Sequence, residues 1–279
     1  MFGFGVKAGL AFPTLSDALV EGVVLVVGVL LVFVLSKVLR LRPAPISITD
    51  TRKEGVLALL VIVALLGVRA VLDTVGSQVV LPSFPLYQLP PYSPFGAVDV
   101  VWYTVVSVIY LVPMMAAMRR SGQSLRSVGV SGKDKGRMLV LSFVLSAIYI
   151  GLFGLFALFS GQVFVGLSAS LGYGFVLFAV VGFSQEIVWR GYVQTRLIAR
   201  YGTIVGLVVT ALFFGLWHFP MRYFQYSGAV LEALANCLLI FPGGLLFGYI
   251  MLKSQNILPS SIYHVFGNFS SLLWQAAAP

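Results

Sequence analysis

The stretch ALVEGVVLVVGVLLVFVLSKVL, Ala18 to Leu39, is an apolar run of about the length a helix needs to cross a hydrocarbon core of roughly 30 Å. It lacks a small-residue cleavage site and is long for a signal peptide, so it reads as a retained first span. Comparable runs follow at Gly55–Val75, Val100–Met118, Met138–Phe159, Leu171–Ala199, Thr203–Pro220, Val230–Leu252 and Ile257–Trp274. Composition agrees: of 279 residues, 59% are hydrophobic and 10% charged, whereas a soluble domain carries about a quarter charged residues. The expected fold is all-α, a polytopic integral membrane protein of about eight transmembrane helices. No soluble domain fits between the spans. The chain therefore divides into scaffold helices over 18–160 and a motif-bearing set over 171–274, all in one membrane domain covering 1–279. Cys237, the single cysteine, excludes an intrachain disulfide and a cysteine metal cluster.

A net charge of +9 would suggest nucleic acid in a soluble protein. In a membrane protein Lys and Arg mark cytoplasmic loops, and no nucleic-acid partner is expected. Lys37, Arg40, Arg42, Arg52 and Lys53 follow the first span, and Arg119, Arg120, Arg126, Lys133, Lys135 and Arg137 follow the third. Arg196 and Arg200 follow the fifth, and Lys253 follows the seventh. If eight spans alternate, all these fall on one side, leaving Lys7 and Arg222 on the other. The expected arrangement is a cell-membrane protein with basic loops in the cytoplasm and both termini outside. The uncharged, Pro- and aromatic-rich connection Ser77–Gly96 would then lie in the outer interface.

Ionisable groups within spans are costly and mark function by default. Glu186, Arg190, His218, Glu232 and His264 stand out, and His218 and His264 are the only histidines in the chain. Glu186 lies sixteen residues before Gly202 and His218 sixteen after it. At 1.5 Å per residue both sit about 24 Å from that turn, so they share a depth across a hairpin of the fifth and sixth spans. Glu186 and Arg190 are spaced i,i+4 with the acid first, the favourable order. Phe214–His218 and His264–Asn268 have the same spacing, and the latter pair has the chemistry to hold an oxyanion.

These residues carry a family resemblance. FSQEIVWRGYVQTRL (183–197) resembles the first motif of the CPBP (ABI) family of intramembrane proteases, which includes the type II CaaX prenyl endopeptidases: two adjacent glutamates, three residues, then arginine. FFGLWHF (213–219) resembles the second, Phe-x-x-x-His, at Phe214 and His218. GGLLFGYIMLKSQNILPSSIYHVFGN (243–268) resembles the third, His-x-x-x-Asn, at His264 and Asn268. No single motif is specific, but all three occur in order on late spans, from about Leu171 to Trp274. The resemblance implies a protease with a polar chamber inside the bilayer. Its substrate would be a peptide or protein, prenylated or hydrophobic at its C-terminal end. The first glutamate and the second-motif histidine would activate water, and His264 with Asn268 would stabilise the oxyanion. The family has also been described as metalloproteases. Glu186, His218 and His264 are one carboxylate and two imidazoles, a zinc-capable set. The spacing is not that of a helical HExxH, so zinc is not favoured and no tightly bound cofactor is expected.

One position departs from the pattern. The first glutamate is replaced by Gln185, and a carboxamide does not take up a proton at neutral pH. Glu186 remains, but an ion-paired carboxylate is a poor base. Three explanations stand: an introduced Glu-to-Gln exchange, which is preferred, a natural non-proteolytic relative, or Glu186 acting as the base. A transporter built on the same intramembrane acids is the rival class, but inverted repeats and paired broken helices are not evident. Arg69 and Asp73 read as a structural i,i+4 pair, and Glu232 and Asn236 share one helix face. Trp217, Phe219, Tyr223, Phe224 and Tyr226 read as an interfacial belt, and Pro242-Gly243-Gly244 as a kink or close approach.

Overall fold

The computed structural model describes residues 14–43, 45–76 and 95–276. Residues 77–94 of the expected outer connection, and Lys7, lie outside the described residues. Among the described residues ten α-helices run in chain order: α1 Leu15–Val38, α2 Thr51–Val75, α3 Ala97–Ser121, α4 Lys135–Phe159, α5 Ala169–Glu186, α6 Thr195–Tyr201, α7 Thr203–Leu216, α8 Phe219–Gln225, α9 Val230–Ser254 and α10 Ile257–Ser270. A π-helical segment, Ile187–Gln194, joins α5 to α6 without a break. Among the described residues, seven helices are long and apolar enough to cross a membrane, the fifth being the continuous 33-residue Ala169–Tyr201.

The eighth expected span is shorter than the apolar run that suggested it. Helix α10 has 14 residues, or about 21 Å at 1.5 Å per residue. The chain then turns extended, and β2 (Trp274–Ala276) pairs antiparallel with β1 (Gln162–Phe164), Phe164 opposite Trp274. An apolar run does not state where a helix yields to a strand, because a paired strand satisfies the same backbone groups.

Packing is arranged for a lipid surround. On α1 the apolar side chains of Val23, Val26 and Leu30 are 61%, 60% and 58% exposed, a surface suited to hydrocarbon rather than water. The main core gathers buried residues of α2, α3, α4, the π segment, α7, α9 and α10, and a smaller cluster joins α5 to α3. Small residues set these approaches, as expected of helices that gain little from excluding water. A Cβ on Gly215 would meet the Cys237 carbonyl oxygen at 2.7 Å, and one on Gly244 would meet Ala211 at 3.1 Å. The Pro242-Gly243-Gly244 stretch thus makes a close approach to α7, within a helix that continues through Pro242.

Two sequence expectations change. Arg196 is not a loop cation. It is fully buried, 3.1 Å from Glu54 Oε2 on α2. It also donates to the carbonyl of Ser127 at 2.6 Å and to its hydroxyl at 2.7 Å. Trp217 is not part of an interfacial belt: it is 1% exposed, and its indole N–H donates to the Leu65 carbonyl at 3.2 Å. The buried Arg69–Asp73 ion pair lies beside it, with the Arg69 guanidinium 4.7 Å from the Trp217 ring centroid.

Removing one member of a buried ion pair leaves the other charge uncompensated, at about 3–5 kcal/mol. Arg196→Met is therefore expected to lose about that much stability to unfolding in micelles. Glu54→Met/Arg196→Met recovers most of the loss. A loss below about 1 kcal/mol for the single variant would show that the pair is not buried.

Candidate active site

The site is assembled from three separate parts of the chain. Glu186 is the last residue of α5, Arg190 lies in the π segment and His264 lies in the middle of α10. All three are fully buried. Glu186 Oε1 accepts a hydrogen bond from His264 Nδ1 at 2.8 Å and lies 3.2 Å from Arg190 Nη1. One carboxylate oxygen therefore ties α5 to its own next turn and to α10.

Aromatic rings close around this pair. The His264 imidazole stacks on Phe247 with centroids 4.7 Å apart and planes at 7°. The Arg190 guanidinium lies over Phe214 at 4.0 Å and over Phe247 at 5.1 Å. A cation over such faces gains electrostatic attraction where water is absent. Phe214 also links the two histidines, its ring centroid lying 5.0 Å from His218 and 6.1 Å from His264.

His218 stands where the sixth span breaks. Helix α7 ends at Leu216, and His218, 6% exposed, is the N-cap residue of the short helix α8. Its Nδ1 is 2.8 Å from the Phe214 carbonyl oxygen. A carbonyl only accepts, so Nδ1 carries the proton, and Nε2 of the neutral ring is an acceptor. The same logic applies to His264, whose Nδ1–H faces a carboxylate. Its Nε2 is buried without a hydrogen-bond partner.

Gln185 is 9% exposed, and its Oε1 is buried without a hydrogen-bond partner. Among the described residues no hydrogen bond joins Gln185 to His218. Asn268 lies one turn beyond His264 on α10, 8% exposed. The structure thus joins Glu186, Arg190 and His264 directly. It brings His218 to the same ring of aromatics and leaves Gln185 and Asn268 at neighbouring positions on the same helices. Glu232 is outside this group, and Asn236 donates to the Tyr226 hydroxyl at 3.2 Å. Among the described residues, no three His, Cys, Asp or Glu side chains stand close enough to share a metal ion. The Glu186, His218 and His264 set is therefore not gathered around one point.

Sequence spacing also left Gln194 without a role. Arg190 Nη2 donates to the Gly244 carbonyl at 3.2 Å, and Gln194 Nε2 donates to the Gly248 carbonyl at 3.0 Å. Donors four residues apart in the π-helical strip meet acceptors four residues apart on α9. Glycine at both acceptors permits the approach, since a Cβ on Gly248 would lie 2.6 Å from Gln194 Oε1. The signal was present in the glycines of GLLFG (244–248), but its partner became visible only with the two helices side by side. π-Helical turns are rare and concentrate at functional sites.

Overpacking of this kind costs about 1–3 kcal/mol, so Gly248→Ala is expected to lower stability by that amount. Gly67→Ala supplies the control. Gly67 is exposed within α2, and its added Cβ meets nothing within 4 Å, so the change should gain up to about 1 kcal/mol through helix propensity. Thermal unfolding in micelles measures both, and equal effects would contradict the packing.

Comparison with known proteins points to the same part of the chain. Residues 167–270 match the family model described as Rce1-like, type II CAAX prenyl endopeptidase. CAAX prenyl protease 2 of Methanococcus maripaludis is 29% identical over 146 residues, 49% of this chain and 52% of that protein. The match thus spans about half the length of that curated relative. No solved structure matches the chain. The resemblance carried by the three motifs is to the Rce1-like type II CAAX prenyl endopeptidases of the CPBP family, and it covers the helices that build this site.

Proposed function

We propose that the protein is an intramembrane endopeptidase of the CAAX type. It acts on a peptide or protein near a prenylated or hydrophobic C-terminal segment and is held at low activity by Gln185. What carries the proposal is the meeting of the motifs inside the bilayer, with His264 hydrogen-bonded to a Glu186 carboxylate that Arg190 also engages.

The chemistry follows from the available lone pairs. Hydrolysis needs a group that takes a proton from water as its oxygen attacks the scissile carbonyl. His218 offers Nε2 as an acceptor, because Nδ1 is committed to the Phe214 carbonyl. A carboxylate at position 185 would share that work, and an amide there does not. Oε1 of Glu186 is engaged by a guanidinium and an imidazole, which suits it to orient His264. Stabilising the oxyanion requires donors aimed at the developing charge. The Asn268 amide is one. His264 donates from Nε2 only when both ring nitrogens carry protons, a state for which Glu186 supplies the counter-charge. No tightly bound metal enters this scheme. The membrane is the cell membrane, with the basic loops in the cytoplasm and both termini outside.

A second reading has its own support in the Gln185 amide: a non-proteolytic relative that binds hydrophobic peptides without cutting them. One comparison separates the two. A farnesylated C-terminal peptide is incubated with the present chain and with Gln185→Glu in proteoliposomes. A positioned general base contributes about 10²–10⁴-fold, and cleavage is expected to rise by that factor. His218→Ala in the Gln185→Glu background should abolish the gain. Peptide binding without any gain in cleavage would favour the non-proteolytic reading, and neither binding nor cleavage would sink both.

A further inference from the structure

A cavity of about 670 Å³ opens at the basic end of the bundle, between the start of α2 and the last turn of α3. This volume lies within the range of about 300–1,000 Å³ typical of small-molecule sites. Its lining is divided along its depth. Arg52, Lys53 and Arg120 form the rim with Asp50, and Val56, Leu57 and Leu60 form the wall beneath.

The rim has three cations against one carboxylate and so stays net positive, and Asp50 Oδ1 accepts from the Lys53 backbone N–H at 3.0 Å as the cap of α2. The Lys53 ammonium donates to the Arg120 carbonyl at 3.3 Å, which gathers the two helix ends into one charged edge. The wall is apolar but not covered by protein: Val56 and Leu60 are 52% and 59% exposed. Leu60 lies seven residues further along α2 than Lys53, about 10 Å deeper at 1.5 Å per residue. Cations at the interface with exposed aliphatic side chains about 10 Å below match one molecule whose phosphate and acyl chain are separated by that distance.

We propose that this cavity binds an anionic phospholipid, with the phosphate held by Arg52, Lys53 and Arg120 and one acyl chain lying along Val56, Leu57 and Leu60. Free phosphate satisfies the rim but leaves the aliphatic wall unused. A zwitterionic lipid brings a cation of its own to a rim that is already cationic. Juxtamembrane Lys and Arg residues each strengthen anionic-lipid binding by roughly fivefold, so removing all three should weaken it by roughly a hundredfold.

The test is native mass spectrometry of the full chain in micelles, titrated with phosphatidylglycerol, with phosphatidylcholine of the same chains, and with inorganic phosphate. Arg52→Gln/Lys53→Gln/Arg120→Gln is compared with Arg126→Gln/Lys133→Gln/Lys135→Gln, which removes the same charge from exposed residues of the neighbouring loop and the first position of α4. Val56→Ser/Leu60→Ser removes the wall while keeping the charge. Thermal unfolding confirms that each variant is folded. The expected result is selective retention of phosphatidylglycerol, lost by roughly a hundredfold in the site triple, reduced in the wall variant and kept in the loop triple. Equal loss in both triples would reduce the effect to net charge and overturn the proposal. So would phosphate binding as well as the lipid, or the absence of selectivity over phosphatidylcholine.

Discussion

A carboxylate buried among apolar helices must be matched by partners, and the Glu186 side chain imposes that demand on the late part of this chain. Its charge is met by Arg190 one turn away and by the His264 imidazole from another helix. Burying an isolated ion in a low-dielectric interior costs several kcal/mol even after relaxation. A docking of α10 that separates His264 from Glu186 would forfeit part of that compensation. The surroundings follow from the same need. Arg190 must also be satisfied, and it takes the Gly244 carbonyl and the faces of Phe214 and Phe247. Close contact with a helix carbonyl is easiest at glycine, so α9 presents Gly244 and Gly248 to Arg190 and Gln194.

Under the proposed function, the two residues at the end of α5 would divide structural from chemical work. Oε1 of Glu186 is engaged by Arg190 and His264, while its Oε2, like Oε1 of Gln185, is buried without a hydrogen-bond partner. A group that orients a neighbour is best held fast, whereas a group that exchanges protons must keep a lone pair available. A carboxylate at 185 would have that lone pair, and the amide has the shape without the basicity. The two histidines divide similarly. Each is fixed through Nδ1, one by a backbone carbonyl and one by a carboxylate, and each keeps Nε2 for whatever enters between them.

Much of this was legible in the sequence because it is local or periodic. Apolar runs gave the spans, and i,i+4 spacing gave the Glu186–Arg190 pair. Small residues in 242–244 indicated a close approach. What was not legible depends on contacts between distant elements. That Arg196 would be buried against Glu54 is set by how α2 packs on α6, although both residues stand near charged loops. Trp217 was misplaced because an aromatic near a helix end has the same sequence signature whether it faces the interface or a neighbour's carbonyl. Uniform α-helical geometry also failed over 187–194, where the π turn displaces the register on which the expected depth match of Glu186 and His218 was based. The short pairing of 162–164 with 274–276 had no signal within either segment alone.

The chain contains two histidines, so the nitrogen resonances of its imidazoles can be assigned with little ambiguity in nanodiscs. The most direct test is nitrogen-15 NMR of these rings in the present chain and in Glu186→Gln. The account predicts that both neutral rings carry the proton on Nδ1, with Nε2 unprotonated, and that Glu186→Gln shifts the resonances of His264 while leaving those of His218 in place. A proton on Nε2 of neutral His264, or a spectrum indifferent to Glu186→Gln, would contradict a site organised around that carboxylate.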